Sequence, residues 1–138
     1  MQRTLILVKP DAFARNLTSE IIARFERKGL QLVALKLMTM DRPLAQRHYA
    51  EHEGKPFFGE LVEYMTSGPV FLTCLERDDA VKTLREVVGA TDPAQAAAGT
   101  VRALFGKSKQ MNSVHASDST ASADREVKLF FGVAALAR

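Results

Sequence analysis

Apolar and polar positions alternate along the chain with two different periods, which predict short strands separated by amphipathic helices. Continuous apolar runs predict three buried strands at residues 5–8, 30–38 and 70–75. Apolar residues with the helical repeat predict helices around residues 21–25, 58–65, 81–88 and 123–131. Pro43 can occupy the first position of a further helix, which is expected to run to about residue 52.

Residues typical of helix ends separate these segments. Gly29 and Gly89 follow two of the predicted helices as C-terminal caps, and Asp78 or Asp79 is expected to cap the helix that begins near residue 80. Residues 90–111 then form a long connection with one weak helical piece at 93–98, and a short strand is expected at 112–115. Connections of this length are uncommon in compact domains and are often functional.

The resulting order is strand, helix, strand, two helices, strand, helix, strand, helix. Two split βαβ units in this order favour an α+β sandwich of the ferredoxin-like βαββαβ type. The expected architecture is a four-stranded antiparallel sheet with helices packed on one face and a long loop before the last strand.

Composition narrows the class of protein. The 138 residues, 46% of them apolar, suit one globular domain spanning 1–138, and the single Cys74 excludes a disulfide scaffold. No apolar run approaches the roughly 20 residues of a membrane span, and the N-terminus enters a strand without a signal peptide, so we expect a cytoplasmic protein. The net charge of +3 suits an anionic ligand but is too small to indicate nucleic acid as a partner.

Two of the three histidines form the pattern H-x-x-E-H at residues 48–52. On one continuous helix His48 and His52 share a face, as the zinc ligands of inverted metallopeptidases do. The alternative, which we favour, is an exposed helix carrying two polar histidines, because so short a pattern often arises by chance.

His115 is the more informative histidine, since it follows the long connection and small residues flank it. Glu126, on the helix that follows, lies where its carboxylate could fix one ring nitrogen and leave the other as a nucleophile. From the residues alone, a surface histidine beside a helix-capping serine is the interpretation that we favour.

One basic residue follows the first predicted strand, one lies on the helix at 81–88 and one lies in the long connection, and each alone would be a solvated charge. Lys9, Arg85 and Arg102 could together bind a polyphosphate, Arg through paired hydrogen bonds and Lys as a point charge. Tyr49 and Phe57 are either core aromatics or, for Phe57, an exposed plate for a base.

Several separate motifs, in order, give the chain a resemblance to the nucleoside diphosphate kinase family over essentially its full length. The matching segments are residues 3–5, 9–11, 24–29, 48–52, 55–58, 67–70, 89–93, 99–102, 112–119, 125–126 and 129–131. The family segment at 48–52 contains the H-x-x-E-H pattern, which further weakens the zinc interpretation.

The resemblance implies a ping-pong phosphotransferase that maintains nucleoside triphosphate and deoxynucleoside triphosphate pools. In such an enzyme the terminal phosphate of ATP or another nucleoside triphosphate passes to His115 and then to a nucleoside diphosphate. Glu126 and Ser117 match the catalytic residues around the nucleophile. The positions matching nucleotide-binding residues are Lys9, Arg85, Arg102, Thr91 and Tyr49 at the phosphates, Phe57 at the base and Asn112 at the sugar.

The resemblance also implies Mg²⁺ carried by the nucleotide phosphates, with no metal site of the protein's own, and a homotetramer or homohexamer built from dimers. The chain departs from the common family pattern at Arg77, Ala98, Ala103, Leu104 and Ala116. We expect Leu104 to be buried between subunits or against the core of its own loop. A nucleotide- or nucleic-acid-binding module that has lost catalysis is the alternative function.

Overall fold

The computed structural model describes residues 2–108 and 111–132, and its centre is one antiparallel sheet. The strands are β1 (Gln2–Val8), β2 (Gln31–Met38), β3 (Val70–Arg77) and β4 (Val114–Ala116). Their order across the sheet is β2-β3-β1-β4, and each neighbouring pair is antiparallel. The predicted ferredoxin-like α+β fold is therefore confirmed.

The helices pack on both faces of this sheet rather than on one, so that part of the expectation was wrong. The helices are α1 (Pro10–Ala14), α2 (Thr18–Arg27), α3 (Arg42–His48), α4 (Phe58–Met65), α5 (Ala80–Val88), α6 (Val101–Phe105) and α7 (Thr120–Phe131). Leu5 and Leu7 of β1 face one core with α3, α4 and α7, whereas Ile6 and Val8 face a second core with α2 and α5. Because successive strand residues point to opposite faces, the continuous apolar run of β1 requires cover on both sides.

Several local predictions differ from the structure. The connection after α5 contains, besides a 3₁₀ turn at Pro93–Gln95, the short helix α6, whose N-cap Thr100 accepts from the Ala103 amide at 3.3 Å. Asp79 precedes α5 in a left-handed conformation (φ 54°) and makes no capping hydrogen bond through its side chain. Instead, the Gln2 side chain accepts from the Val81 amide at 3.2 Å.

The helix predicted from residue 43 to 52 is also divided. It ends as α3 at His48, and a 3₁₀ turn at Ala50–His52 follows. Within residues 2–108 and 111–132, no helix has both the length and the apolar character that crossing a membrane requires.

Candidate active site

Strand pairing places His115 beside the end of β1. In the register of the two strands His115 lies opposite Leu7, and the Lys9 amide donates to the Ser113 carbonyl at 2.9 Å. Ser113 itself adopts a positive φ of 78°, a conformation that costs a serine about 1–3 kcal/mol. This strained residue directly precedes β4 and lies two residues before the candidate nucleophile.

The His115 ring is held by a buried carboxylate on α7. Nε2 of His115 lies 2.7 Å from Oε1 of Glu126, and the Ser117 hydroxyl donates to the same oxygen at 2.9 Å. The Glu126 side chain is 4% exposed and that of His115 is 21% exposed. A carboxylate acceptor at Nε2 fixes the proton there, so a neutral His115 carries its free lone pair on Nδ1.

Two of the predicted phosphate ligands are buried cations. Burial, with a smaller contribution from Arg102, lowers the pKa of the Lys9 ammonium to about 7. Burial and the neighbouring Arg85 lower the pKa of the Arg102 guanidinium to about 10. Arg102 donates to the carbonyls of Gly89 at 3.1 Å and Val114 at 2.8 Å, which fixes its guanidinium between α5 and β4. The charge of Arg102 is thus held in place before any anion arrives.

Phe57, the predicted base plate, lines the same cavity and is partly open to solvent. Phe57 is 46% exposed, with the Lys55 ammonium 5.8 Å from the centre of its ring and the His52 ring 5.3 Å away. Asn112 is buried and donates from its amide to the Thr91 carbonyl at 3.0 Å. This bond ties the long connection to the residues that precede β4.

A single cavity of about 540 Å³ collects most of these groups. Nine of the ten predicted site residues line it, namely Lys9, Tyr49, Phe57, Arg85, Thr91, Arg102, Asn112, His115 and Glu126. The tenth, Ser117, is fully buried and contacts the cavity through Glu126. The cavity therefore combines a free imidazole nitrogen, cations and an exposed aromatic ring.

Sequence reasoning missed His48, which also lines this cavity. It is 1% exposed, so the interpretation of residues 48–52 as an exposed helix is wrong for this residue. Its ring lies 4.5 Å from the His115 ring, and burial followed by the charge of His115 lowers its pKa well below the ordinary value. The spacing from buried Ala45, one helical turn earlier, is the signal that could have placed it inward.

The zinc pattern of His48 and His52 is not formed. The helix ends at His48, so the two histidines do not share a continuous helical face. In the part of the chain that the structure describes, the histidine and acidic side chains close enough to share a metal ion are His48, His115 and Glu126.

The departures from the family pattern are accommodated in different ways. Ala116 lies within β4 and is buried, and its φ is not positive, so its Cβ causes no backbone strain. Arg77 donates to the Thr83 hydroxyl at 2.6 Å and so contacts α5. Leu104 is 49% exposed, which rules out burial against its own loop in the single chain.

Comparison with known proteins gives one consistent result at the level of sequence. The family model described as nucleoside diphosphate kinase matches residues 2–136. The nucleoside diphosphate kinase of Archaeoglobus fulgidus is 53% identical over 131 residues, which cover 95% of this chain and 87% of that protein. The enzyme of Brevibacillus brevis is 52% identical over 131 residues, with 95% and 89% covered.

Solved structures agree with the sequence comparison. The nucleoside diphosphate kinase of Aquifex aeolicus superposes with a TM-score of 0.94 at 43% identity and covers 98% of each chain. The apo enzyme of Encephalitozoon cuniculi gives the same TM-score at 43% identity, covering 96% of this chain and 90% of that one. With this agreement of sequence and fold, the chain belongs to the nucleoside diphosphate kinase family.

Proposed function

We propose that this chain, as a single domain spanning 1–138, is a nucleoside diphosphate kinase that carries the phosphoryl group on His115. The observation that supports it most is the 2.7 Å pairing of His115 with buried Glu126 inside a cavity lined by cations. Family membership supports the same reaction. This arrangement suits the transfer of a phosphoryl group from a nucleoside triphosphate to the imidazole of His115.

The reaction is proposed to run in two mirrored halves. In the first, the lone pair of His115 Nδ1 attacks the terminal phosphorus, a P–N bond forms and the P–O bond to the leaving nucleoside diphosphate breaks. In the second half, an oxygen of another nucleoside diphosphate attacks the phosphorus and the P–N bond breaks. Glu126 keeps the Nε2 proton in place throughout and stabilises the positive charge that develops on the ring.

Little further covalent chemistry is needed, because phosphoryl transfer depends mainly on position and charge. Lys9, Arg85 and Arg102 are proposed to neutralise the phosphate oxygens. The carbonyls of Gly89 and Val114 hold Arg102 in place, so its guanidinium needs to move little when the phosphates bind. Thr91 and Tyr49 complete the phosphate end of the cavity.

Mg²⁺ is proposed to enter with the nucleotide, as part of the substrate. Lys9, Arg85 and Arg102 supply only hydrogen-bond donors to the phosphates, and their cationic forms repel a metal ion rather than bind it. Mg²⁺ prefers phosphate oxygens and water, so it supplies charge neutralisation from the nucleotide side.

The base is proposed to stack on Phe57. Stacking uses the face that all bases share, so the site should accept purine and pyrimidine nucleotides alike. The half-exposed ring of Phe57 at the cavity mouth supports this arrangement.

The decisive experiment is incubation with ATP labelled in its terminal phosphate. The wild-type chain should acquire an acid-labile label and pass it to added nucleoside diphosphate, whereas His115→Asn should acquire none. His52→Gln is the matched control, because His52 lies outside the pairing with Glu126, and it should be labelled. A protein that binds nucleotide but is never labelled would be the binding module instead, and equal labelling of His115→Asn would refute the assignment.

A second copy of the chain is proposed to cover the outer edge of the sheet, as the first step of a homotetramer or homohexamer. Among the residues that the structure describes, β2 pairs with β3 alone, and Leu35 and Leu37 on it are 58% and 57% exposed. An exposed apolar edge strand is a surface that proteins normally cover. Leu35→Lys should lower the mass observed in sedimentation, and an unchanged assembly would contradict this interface.

A further inference from the structure

The candidate site contains a side-chain cluster that phosphoryl transfer leaves partly unexplained. One ligand atom each from His48, His115 and Glu126 lies within 4.8 Å of the other two. Two imidazoles and a carboxylate form the ligand set typical of zinc sites that retain an open position. The three residues come from α3, β4 and α7, so the fold and not a local motif assembles them.

A second, independent observation points to a ligand at this cluster. His48 is 1% exposed, and neither of its ring nitrogens has a hydrogen-bond partner among residues 2–108 and 111–132. Its ring is packed edge-on against His115 at 4.5 Å and against Tyr49 at 4.4 Å. Buried polar groups are normally satisfied, so an orphan imidazole beside two other ligand groups requires an explanation.

We propose that His48, His115 and Glu126 form a Zn²⁺ site, with water completing the coordination. Two atoms bound to one tetrahedral zinc ion lie roughly 3.3 Å apart, given bond lengths of about 2.0–2.1 Å. Small side-chain rotations are therefore enough to bring the three ligand atoms, now within 4.8 Å of one another, to the separations that one zinc ion requires. Zn²⁺ gives the orphan nitrogen of His48 a partner, and it replaces the hydrogen bond between His115 and Glu126.

The surroundings select for zinc over magnesium. Lys9, Arg85 and Arg102 line the same cavity and oppose any cation held by charge alone. A metal that forms strong bonds to imidazole nitrogen overcomes this opposition, whereas Mg²⁺ prefers oxygen ligands. Arg125, 3.6 Å from the second oxygen of Glu126, also opposes the ion, so binding depends on all three ligands.

Ser117 supports this site through a hydrogen bond to one of the proposed ligands. Its fully buried hydroxyl donates to Glu126 at 2.9 Å and so orients the carboxylate. Outer hydrogen bonds of this kind change metal affinity by about 10- to 100-fold when they are removed.

Zinc binding has a functional consequence that rests on the proposed function. For zinc to bind Nε2 of His115, the single ring proton must move from Nε2 to Nδ1, and the freed Nε2 lone pair forms the bond to the metal. Nδ1 then lacks the free lone pair that attacks phosphorus, so a chain that holds zinc at this site cannot become phosphorylated on His115. Zinc is then a reversible inhibitor that competes with phosphorylation. The nucleotide-bound Mg²⁺ is not displaced, because it has different ligands.

The test is titration of the metal-free, unphosphorylated protein with Zn²⁺, followed by calorimetry and by the NMR signals of its three histidine rings. We expect one ion per chain, with the rings of His48 and His115 shifting and that of His52 unaffected. His48→Gln should abolish binding, Ser117→Ala should weaken it by about 10- to 100-fold, and His52→Gln should leave it intact.

The ring signals of the wild-type protein decide the matter even if His48→Gln fails to fold. No shift of His48 and His115, or equal affinity in a folded His48→Gln variant, would overturn the site. Labelling by ATP separates this proposal from the proposed function. A protein that is labelled on His115 but binds no zinc refutes only the metal site, whereas one that binds zinc but is never labelled refutes only the kinase activity.

Discussion

Lys9 should take up a proton when a nucleoside diphosphate binds. The Lys9 side chain is 5% exposed, and burial, reinforced by Arg102 and opposed by Asp11, lowers its pKa to about 7. At about pH 8 only roughly a tenth of the chains then carry the charge on Lys9. A phosphate group beside the ammonium favours its charged form and raises the pKa again. Binding at about pH 8 should therefore draw close to one proton per chain from solution, and at about pH 6 almost none.

The size of this effect follows from the difference between the ordinary pKa of a lysine, 10.5, and the pKa of about 7 for Lys9 in the folded protein. At roughly 1.4 kcal/mol per pH unit, this difference corresponds to about 5 kcal/mol of lost preference for the charged form.

The same difference in pKa affects the stability of the folded protein. Between about pH 7 and pH 10.5 the unfolded chain binds a proton at Lys9 that the folded chain does not, so the stability of the unliganded protein should rise with pH across this window.

Calorimetric titration with ADP in two buffers of different ionisation enthalpy measures the proton uptake directly. Lys9→Gln is the informative variant, because it removes the titrating group and leaves the ionisation of ADP itself in the signal. The difference between wild type and Lys9→Gln should approach one proton at about pH 8 and vanish at about pH 6. Equal uptake by the two proteins at the higher pH would refute the assignment of a neutral Lys9 to the empty site.

Three further variants test other parts of the site and the assembly. Glu126→Gln keeps an acceptor near His115 Nε2 but loses the charge, so turnover should fall about five- to tenfold with little change in KM; unchanged turnover would show that the carboxylate gives no support. Phe57→Ala should weaken all nucleotides by about tenfold or more in binding titrations, and selective loss of one base would reveal an edge-reading group. Leu104→Asp should weaken subunit association, because covering this half-exposed side chain stabilises the assembly by roughly 1 kcal/mol. Sedimentation at several protein concentrations measures this, and an assembly as stable as that of the wild type would make the substitution neutral.

The local pattern of apolar residues was sufficient to predict the strands and helices that show a clear apolar run or helical repeat. The apolar run at 70–75 predicted β3, and Phe58, Leu61, Val62 and Met65 predicted α4 at its observed start and end. Short elements gave no such signal. The five residues of α6 are too few to show a helical repeat, and only the cap at Thr100 marks them. Sequence reasoning therefore interpreted this helix as part of a long loop.

The same limit applies to the ends of elements. Asp79 has the side chain of a helix cap, but its left-handed backbone prevents that use, and the distant Gln2 supplies the acceptor near the start of α5. Strand β4 also begins two residues later than predicted, because pairing with β1 defines it. A contact between β1 and α5 cannot be read from either segment alone.

What the sequence determined by itself is the set of groups and the order of the elements. Lys9, Arg85, Arg102 and His115 carry their chemistry in their side chains, and the apolar runs predicted the strands but not that helices cover both faces of the sheet. What only the tertiary structure decided is which groups meet. His48, the last residue of α3, and His115, in β4, bring their rings within 4.5 Å of each other, and that contact depends on packing between segments far apart in the chain. Local periodicity reports which face a residue occupies, but the partner on that face is chosen by the fold as a whole.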